Sequence, residues 1–242
     1  MTPRALSRYV PTDPKRVPQE AAANAGSPSR TMDAFERIRA DIMQGRLHPG
    51  ARMKIEEMRA HYKVGLSPLR EALSLLTSEH LVERIDQRGF RVAPASLAEF
   101  TELLQTRCWL EERALRESIR HGGAAWEEGV VIAHHRLHRL KRAAGTDHSV
   151  VATAWEDAHR AFHTALISRC GSTILLRFCD QLYDMNVRYR QIAGIYAYPR
   201  RNIETEHREI VKAALARDAD AAVAKLVTHY EKTGAYLKKA LA

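Results

Sequence analysis

Cysteine is scarce: Cys108, Cys170 and Cys179 are the whole set in 242 residues, and no two of them form a CxxC pair. An odd, scattered set excludes a paired disulfide framework and suits buried thiols in a reducing cytoplasm. Long apolar runs are missing too. No window approaches the ~18 consecutive apolar residues of a membrane span. The first thirty residues, MTPRALSRYVPTDPKRVPQEAAANAGSPSR, hold no apolar stretch of signal-peptide length. Their Pro, Ala and Ser content predicts a disordered tail over 1–30. Nor is there a block of one charge. The net +9 divides as +3 over 1–30, +2 over 31–95 and +4 over the remainder. Charge spread this evenly suits a solvated surface as well as a polyanion partner, so it selects no function. No internal repeat of fixed period occurs.

What is present is patterned. Apolar content of 45% is enough for a sizeable core. From Asp33, Phe35, Ile38 and Ile42 recur at helical spacing, and this helix should end near Gly45. IEEMRAHY fits a second short helix, with KVG as the turn. Ser67 before Pro68 reads as the start of a third, the hydroxyl capping a free N–H and the proline lacking one. Leu69, Ala72, Leu73 and Leu76 make one face of this helix apolar, and Arg70, Ser74 and Thr77 occupy the other. LVERI and FRVA read as two strands joined across DQRG. Beyond PASLAEF the chain should be helical almost to its end, broken at HGGAA, AAGTDHS, RCGS and YAYPRR.

Two helices joined by a turn, the second with an apolar rear and a polar front, make a helix-turn-helix. Its front face carries donors into a major groove wide enough for a helix. A hairpin tipped by Arg88-Gly89 makes a wing, the glycine allowing close backbone approach and the arginine supplying charge. Any small α/β domain with a capped helix and a hairpin is the plainer explanation. Against it, residues 34–93 resemble the winged helix-turn-helix of the GntR family of bacterial repressors, through IRADIMQGRLHPGARM, SPLREAL and LVERIDQRGFRV. The resemblance implies that Arg52 contacts phosphate, Arg70 reads a guanine edge, and Arg88-Gly89 touches the minor groove. Where the family commonly carries Arg, two residues before the proline, this chain has Leu66, and an apolar contact to a thymine methyl can stand in. The candidate DNA-binding set is Arg52, Leu66, Ser67, Arg70, Arg88 and Gly89.

The helical half is rich in histidine. WEDAHRAFHTALI places His159 and His163 at i, i+4 on one helical face. A zinc protease would use HExxH with the intervening Glu as base, but Arg160, Ala161 and Phe162 intervene and no base is present. His207 and His229 follow on two later helices. His134 and His138, also at i, i+4, lie amid Arg and Lys and read as a solvated face. Residues from about 96 to 240 resemble the all-α ligand-binding domain of the FadR-type (FCD) branch of that family. There a metal is held by a DxxFH motif and by one His on each of two later helices. His163, His207 and His229 match, and His159 stands at the Asp position. The resemblance implies a metal on these four residues. Four imidazoles suit Zn, or Ni or Cu, rather than Mg or Ca. They bring no carboxylate to offset a dication, so an anion should be drawn to the open positions. Glu156, seven residues before His163, could compensate from one shell further out. With an ordinary imidazole pKa of about 6.5, metal affinity should fall as pH drops below about 6.

The resemblance further implies that Arg107 helps hold an acidic effector, although Arg107 could simply pair with Glu111; Arg188 and Arg190 are further candidates. HRAFHTALI, CGSTILLRFCDQLYDMNVRYRQ and VGLSPLREAL look most like the carbon-starvation-induced repressor branch, whose members respond to small dicarboxylates. The expectation is a mainly α protein: tail 1–30, winged helix-turn-helix 31–94, helical ligand-binding and dimerisation bundle 95–242. It should act in the cytoplasm as a homodimeric repressor on a short inverted repeat of double-stranded DNA, with no membrane association. Two alternatives stay open: a helical metalloenzyme using the four histidines, and a regulator without metal whose histidines bind ligand directly.

Overall fold

A computed structural model describes residues 29–86, 88–144, 147–151, 153–192 and 201–241. Residues 1–28 of the expected tail, Gln87 of the hairpin turn and most of YAYPRR lie outside the described residues, whereas Ser29 and Arg30, counted with that tail, cap and open the first helix. The chain runs α1 (Arg30–Met43), β1 (Arg52–Met53), α2 (Ile55–Tyr62), α3 (Leu66–Ser78), β2 (Val82–Ile85) and β3 (Gly89–Val92), then continues into a helical unit. Ser29 caps α1, its hydroxyl accepting the Met32 N–H at 3.2 Å. The short α2 coincides with IEEMRAHY and ends on Lys63 in a left-handed conformation.

Ser67 is not the cap of α3. That helix begins two residues earlier, with Gly65 extended at the N-cap and its carbonyl accepting the Leu69 N–H at 3.1 Å. Ser67 and Pro68 fall inside the first turn, where the helix does not use backbone N–H groups, so the proline costs no bond. The wing holds one more strand than the sequence predicts. β1 pairs antiparallel with β3, giving a three-stranded sheet of order β1-β3-β2. Two residues carry too little periodicity to reveal a strand. At the tip Gly89 has φ +89°, which strongly favours glycine. Ile38, Ile42, Leu69, Leu73 and Leu76 fill the core between α1, α3 and the sheet.

Among the described residues the second unit holds six helices: α4 (Leu97–His121), α5 (Ala124–His138), α6 (Thr153–Ile167), α7 (Thr173–Ile192), α8 (Ile203–Leu215) and α9 (Ala219–Leu241). The break expected at AAGTDHS separates α5 from α6, and there β4 (Ala143–Ala144) and β5 (Asp147–Val151) pair antiparallel, two strands the sequence did not announce. α4 is the hub, packing on α6, α7 and α9, while α5 lies against α6 and α8 against α9. Ser96 and Asn202 cap α4 and α8, accepting the Glu99 and Thr205 N–H groups. In α6, Trp155, His159, Phe162, His163 and Leu166 fall on one buried stripe. That periodicity is what turns the histidines inward.

Candidate metal centre and DNA-binding face

The structure brings His159, His163, His207 and His229 together from α6, α8 and α9, one ligand nitrogen from each lying within 4.8 Å of the others. All four are buried. The Nε2 atoms of His159 and His163 face each other at 3.2 Å. Two nitrogens bound to one zinc at about 2.0–2.1 Å stand roughly 3 Å apart, so the spacing fits a shared ion. His207 Nε2 is buried without a hydrogen-bond partner. A buried nitrogen left without a partner is costly unless something not in the protein completes it. The donor set and this unsatisfied atom both fit a transition metal.

The far side of the rings explains their orientation. His159 Nδ1 meets the Tyr183 hydroxyl at 2.7 Å, and that hydroxyl donates to Glu156 at 2.6 Å. His163 Nδ1 meets the Tyr230 hydroxyl at 2.9 Å, and Tyr230 donates to Glu111. His229 Nδ1 reaches Glu206 directly at 2.8 Å. A hydroxyl has one proton, and each tyrosine gives it to a carboxylate. The proton between ring and hydroxyl must then belong to Nδ1. Nε2 keeps its lone pair, and it is Nε2 that points to the centre. Trp155 stacks flat on His159 at 4.6 Å between centroids and fixes that ring's plane.

Glu156, expected as compensation one shell out, is joined in that place by Glu111 and Glu206, which packing across helices brings behind the rings. Glu111, Glu156 and Glu206 all lie one or two bonds from a ligand ring. Each also holds an arginine: Arg107 with Glu111 at 2.6 Å, Arg190 with Glu156 at 2.6 Å, and Arg201 with Glu206 at 2.5 Å. The three pairs cancel in charge. Arg107 thus makes the pairing weighed as the plain alternative, and it also lines a cavity of about 20 Å³ with His159, Asn186, Arg190 and His229. Its Nη2 is buried without a partner. Arg188 turns the other way, donating to the Ala93 carbonyl. His138 is exposed, 3.1 Å from Glu204, whereas His134 is half-buried against Phe162.

Tyr183, Tyr230, Asn186, Arg201 and Glu206 were not singled out from the sequence. Tyr230 and Glu206, each next to a candidate ligand in sequence, carried that one signal; Tyr183, Asn186 and Arg201 arrive by helix packing. On the other unit, Leu66, Ser67 and Arg70 are exposed along the front of α3. The Arg70 guanidinium has no hydrogen bond or ion pair among the described residues. Arg52 reaches the Arg88 carbonyl at 3.4 Å near the tip of the wing, and both side chains are exposed.

Two family models match the sequence: the bacterial regulatory proteins of the gntR family over residues 31–92, and the FCD domain over residues 102–232. The HTH-type transcriptional regulator BphR of Paraburkholderia xenovorans is 43% identical over 199 residues, 82% of this chain and 81% of the relative. The HTH-type transcriptional repressor GlaR of Escherichia coli is 31% identical over 197 residues, 78% of this chain and 86% of the relative. Among solved structures, a GntR-type regulator from Rhodococcus sp. RHA1 superposes with a TM-score of 0.68 at 24% identity, covering 87% of this chain and 98% of that one. That last likeness is one of fold.

Burial holds His159, His163 and His207 neutral well below the ordinary imidazole range, with neighbouring cations adding to the effect. Burial also pushes His229 down to about 4, although Glu206 pulls the other way. Protons therefore compete for the folded site nearer pH 4 than the pH 6 expected from an ordinary imidazole. Between about 4 and 6.5 the unfolded chain binds more protons than the folded one, so stability falls with acidification. His229 alone should account for on the order of 3 kcal/mol across that window. Thermal melts of metal-stripped protein should show Tm constant above about pH 7 and falling steadily to pH 5, with a shallower fall in His229→Gln. A flat profile in the unsubstituted protein would contradict the assignment.

Proposed function

The protein belongs to the GntR family of bacterial regulatory proteins and carries an FCD domain, and on that premise we propose that it is a homodimeric repressor that a small dicarboxylate releases from its operator through a metal held by His159, His163, His207 and His229. It is a transcriptional regulator, as its relatives are, and not an enzyme. FCD domains often bind metal, and the observation that most favours one here is the convergence of imidazoles whose Nδ1 atoms are tied back by Tyr183, Tyr230 and Glu206. The all-nitrogen set favours zinc, with nickel next. A bound ion would supply a Lewis-acidic position for a carboxylate oxygen. Because the three Arg–Glu pairs cancel, a dication there leaves the cavity positive, and Arg107 Nη2 offers a donor to the same anion. The cavity of about 20 Å³ holds little more than one water. An effector larger than that has to part the helices, which is how its arrival would be felt outside the site.

DNA contact follows from α3. Arg70 would read a guanine edge, Leu66 would meet a base methyl, Ser67 and Arg52 would contact the backbone, and Arg88-Gly89 would enter the minor groove. One such helix covers few base pairs, so a two-fold dimer on a short inverted repeat is required. Trp109 on α4, with Ile174 and Phe178 on α7, are 62%, 58% and 52% exposed. Apolar side chains left on two packed helices suit the face of a second copy.

Three measurements test this reading. Arg70→Ala should leave the fold intact and weaken specific operator binding by about 1–3 kcal/mol in gel-shift titrations; unchanged affinity would remove Arg70 from base reading. Phe178→Asp should turn a dimer into a monomer by light scattering at micromolar protein, with loss of operator binding; a monomeric wild-type protein with full affinity would refute the dimer. His163→Ala combined with His207→Ala should still bind operator, lose its metal by elemental analysis, and fail to release DNA with succinate or glutarate. Normal release by that double variant would end the metal-centred account.

A further inference from the structure

The end of α7 touches everything that matters in this molecule. The Tyr183 hydroxyl sits between His159 and Glu156. Its ring, with Val187, closes the apolar core of the DNA-binding unit. Asp184, the next residue, binds two arginines from opposite directions. One is Arg39 of α1, which also bonds Glu79 at the end of α3 at 2.9 Å. The other is Arg160 of α6, lying between the two histidines of that helix; its guanidinium rests 4.5 Å from the centre of the Tyr183 ring. Four residues on, Arg188 donates to the carbonyl of Ala93, where β3 leaves the wing for α4. Beside this joint lies a groove of about 420 Å³ whose walls include Arg39, Glu79, Leu110, Phe178 and Asp184. The two units therefore meet at a few polar ties and one small apolar contact, with open space next to them.

We infer that Tyr183 positions His159 for its ligand, and that Tyr183 with the Arg39–Asp184–Arg160 bridge is the joint through which the histidine centre sets the orientation of the DNA-binding unit. This rests on the metal reading above and extends it to regulation. Coupling between two sites requires an element that both can bias, and a single helix turn that hydrogen-bonds a candidate ligand and plugs the core of the other unit is such an element. If a change at the His159 ring shifts the Tyr183 hydroxyl, the ring moves within the apolar core of the other unit. If α6 shifts, Arg160 drags Asp184, and Asp184 drags Arg39. Both routes end on α1 and α3, the helices that carry the reading face. The two roles separate by residue. The Tyr183 hydroxyl belongs to the centre and the joint, whereas Asp184 and Arg39 belong to the joint alone.

The test uses full-length protein, Zn²⁺ alone as the probe, and the DNA upstream of the protein's own gene. Zn²⁺ affinity is measured by chelator competition, and operator affinity is measured with the protein zinc-loaded and metal-stripped. In the wild type, loading should change operator affinity by at least fivefold, the low end of typical coupling. Tyr183→Phe keeps the ring in the core and removes only the hydroxyl. It should weaken Zn²⁺ binding by about 10–100-fold, as loss of a ligand's outer partner does. Asp184→Asn and Arg39→Gln should each bind Zn²⁺ within twofold of wild type, yet lose the zinc dependence of operator binding. Circular dichroism melts confirm that the variants are folded, and agreement between the two substitutions guards against a local defect in either. Zinc dependence retained in both variants would overturn the joint. Unchanged Zn²⁺ affinity in Tyr183→Phe would overturn the positioning role. A wild-type protein that binds Zn²⁺ with no change in operator affinity would overturn this inference and leave the metal reading standing; one that binds no Zn²⁺ would overturn both.

Discussion

Neutral imidazoles packed against one another inside a protein need their protons assigned, because each ring has one donor and one acceptor and a wrong choice buries an unpaired group. Here the assignment is made from outside the cluster. Glu206 on one ring, and Tyr183–Glu156 and Tyr230–Glu111 on two others, take the Nδ1 protons and leave Nε2 lone pairs converging. These groups lie on five helices: Glu111 on α4, Glu156 on α6, Tyr183 on α7, Glu206 on α8 and Tyr230 on α9. The packing of the bundle and the chemistry of its centre are consequently one problem. Arg107, Arg190 and Arg201 complete it, since a buried carboxylate without a partner would have to take up a proton, and a protonated Glu could no longer hold the tautomer.

Among the described residues, each unit has an apolar core largely its own. The helical unit has its own apolar cluster around Leu115, Phe162, Leu166 and Ile210, and the DNA-binding unit has another around Ile38, Leu69 and Leu73. Between them stand Tyr183 and Val187 and a set of charged ties. Charged ties at a partly exposed surface contribute modestly to stability. They are well suited to hold one of several orientations, and poorly suited to make two units inseparable.

Much of this was legible in the sequence where one residue's neighbours along the chain determine its fate. Leu69, Ala72, Leu73 and Leu76 announce a helix with a buried rear, and IEEMRAHY announces α2 to the residue. The i, i+4 pair of His159 and His163 announces a shared face, which the buried stripe of α6 turns inward. What stayed hidden depends on contacts far apart in sequence. β1 is two residues long and exists because β3 needs a partner. The start of α3 moved because Gly65, rather than Ser67, has the extended conformation at the boundary. Glu206 lies 23 residues from the ring it holds, and Tyr183 lies 24 from His159. No periodicity links residues at such separations, and only folded coordinates put them together. Arg188 and Arg190 show the same limit at short range: two arginines on one turn, one serving the linker and the other the centre.

The small size of the cavity among the histidines has a kinetic side. With about 20 Å³ of free space and every ligand ring buried, anything larger than a water needs a local opening of helices to pass among the histidines, and such openings cost free energy and take time. An ion held there would exchange slowly, at the pace of such openings, and so would average over momentary changes in metal supply. What varies from moment to moment would be the small acid alone, and the pace of the response would be the pace at which the bundle breathes.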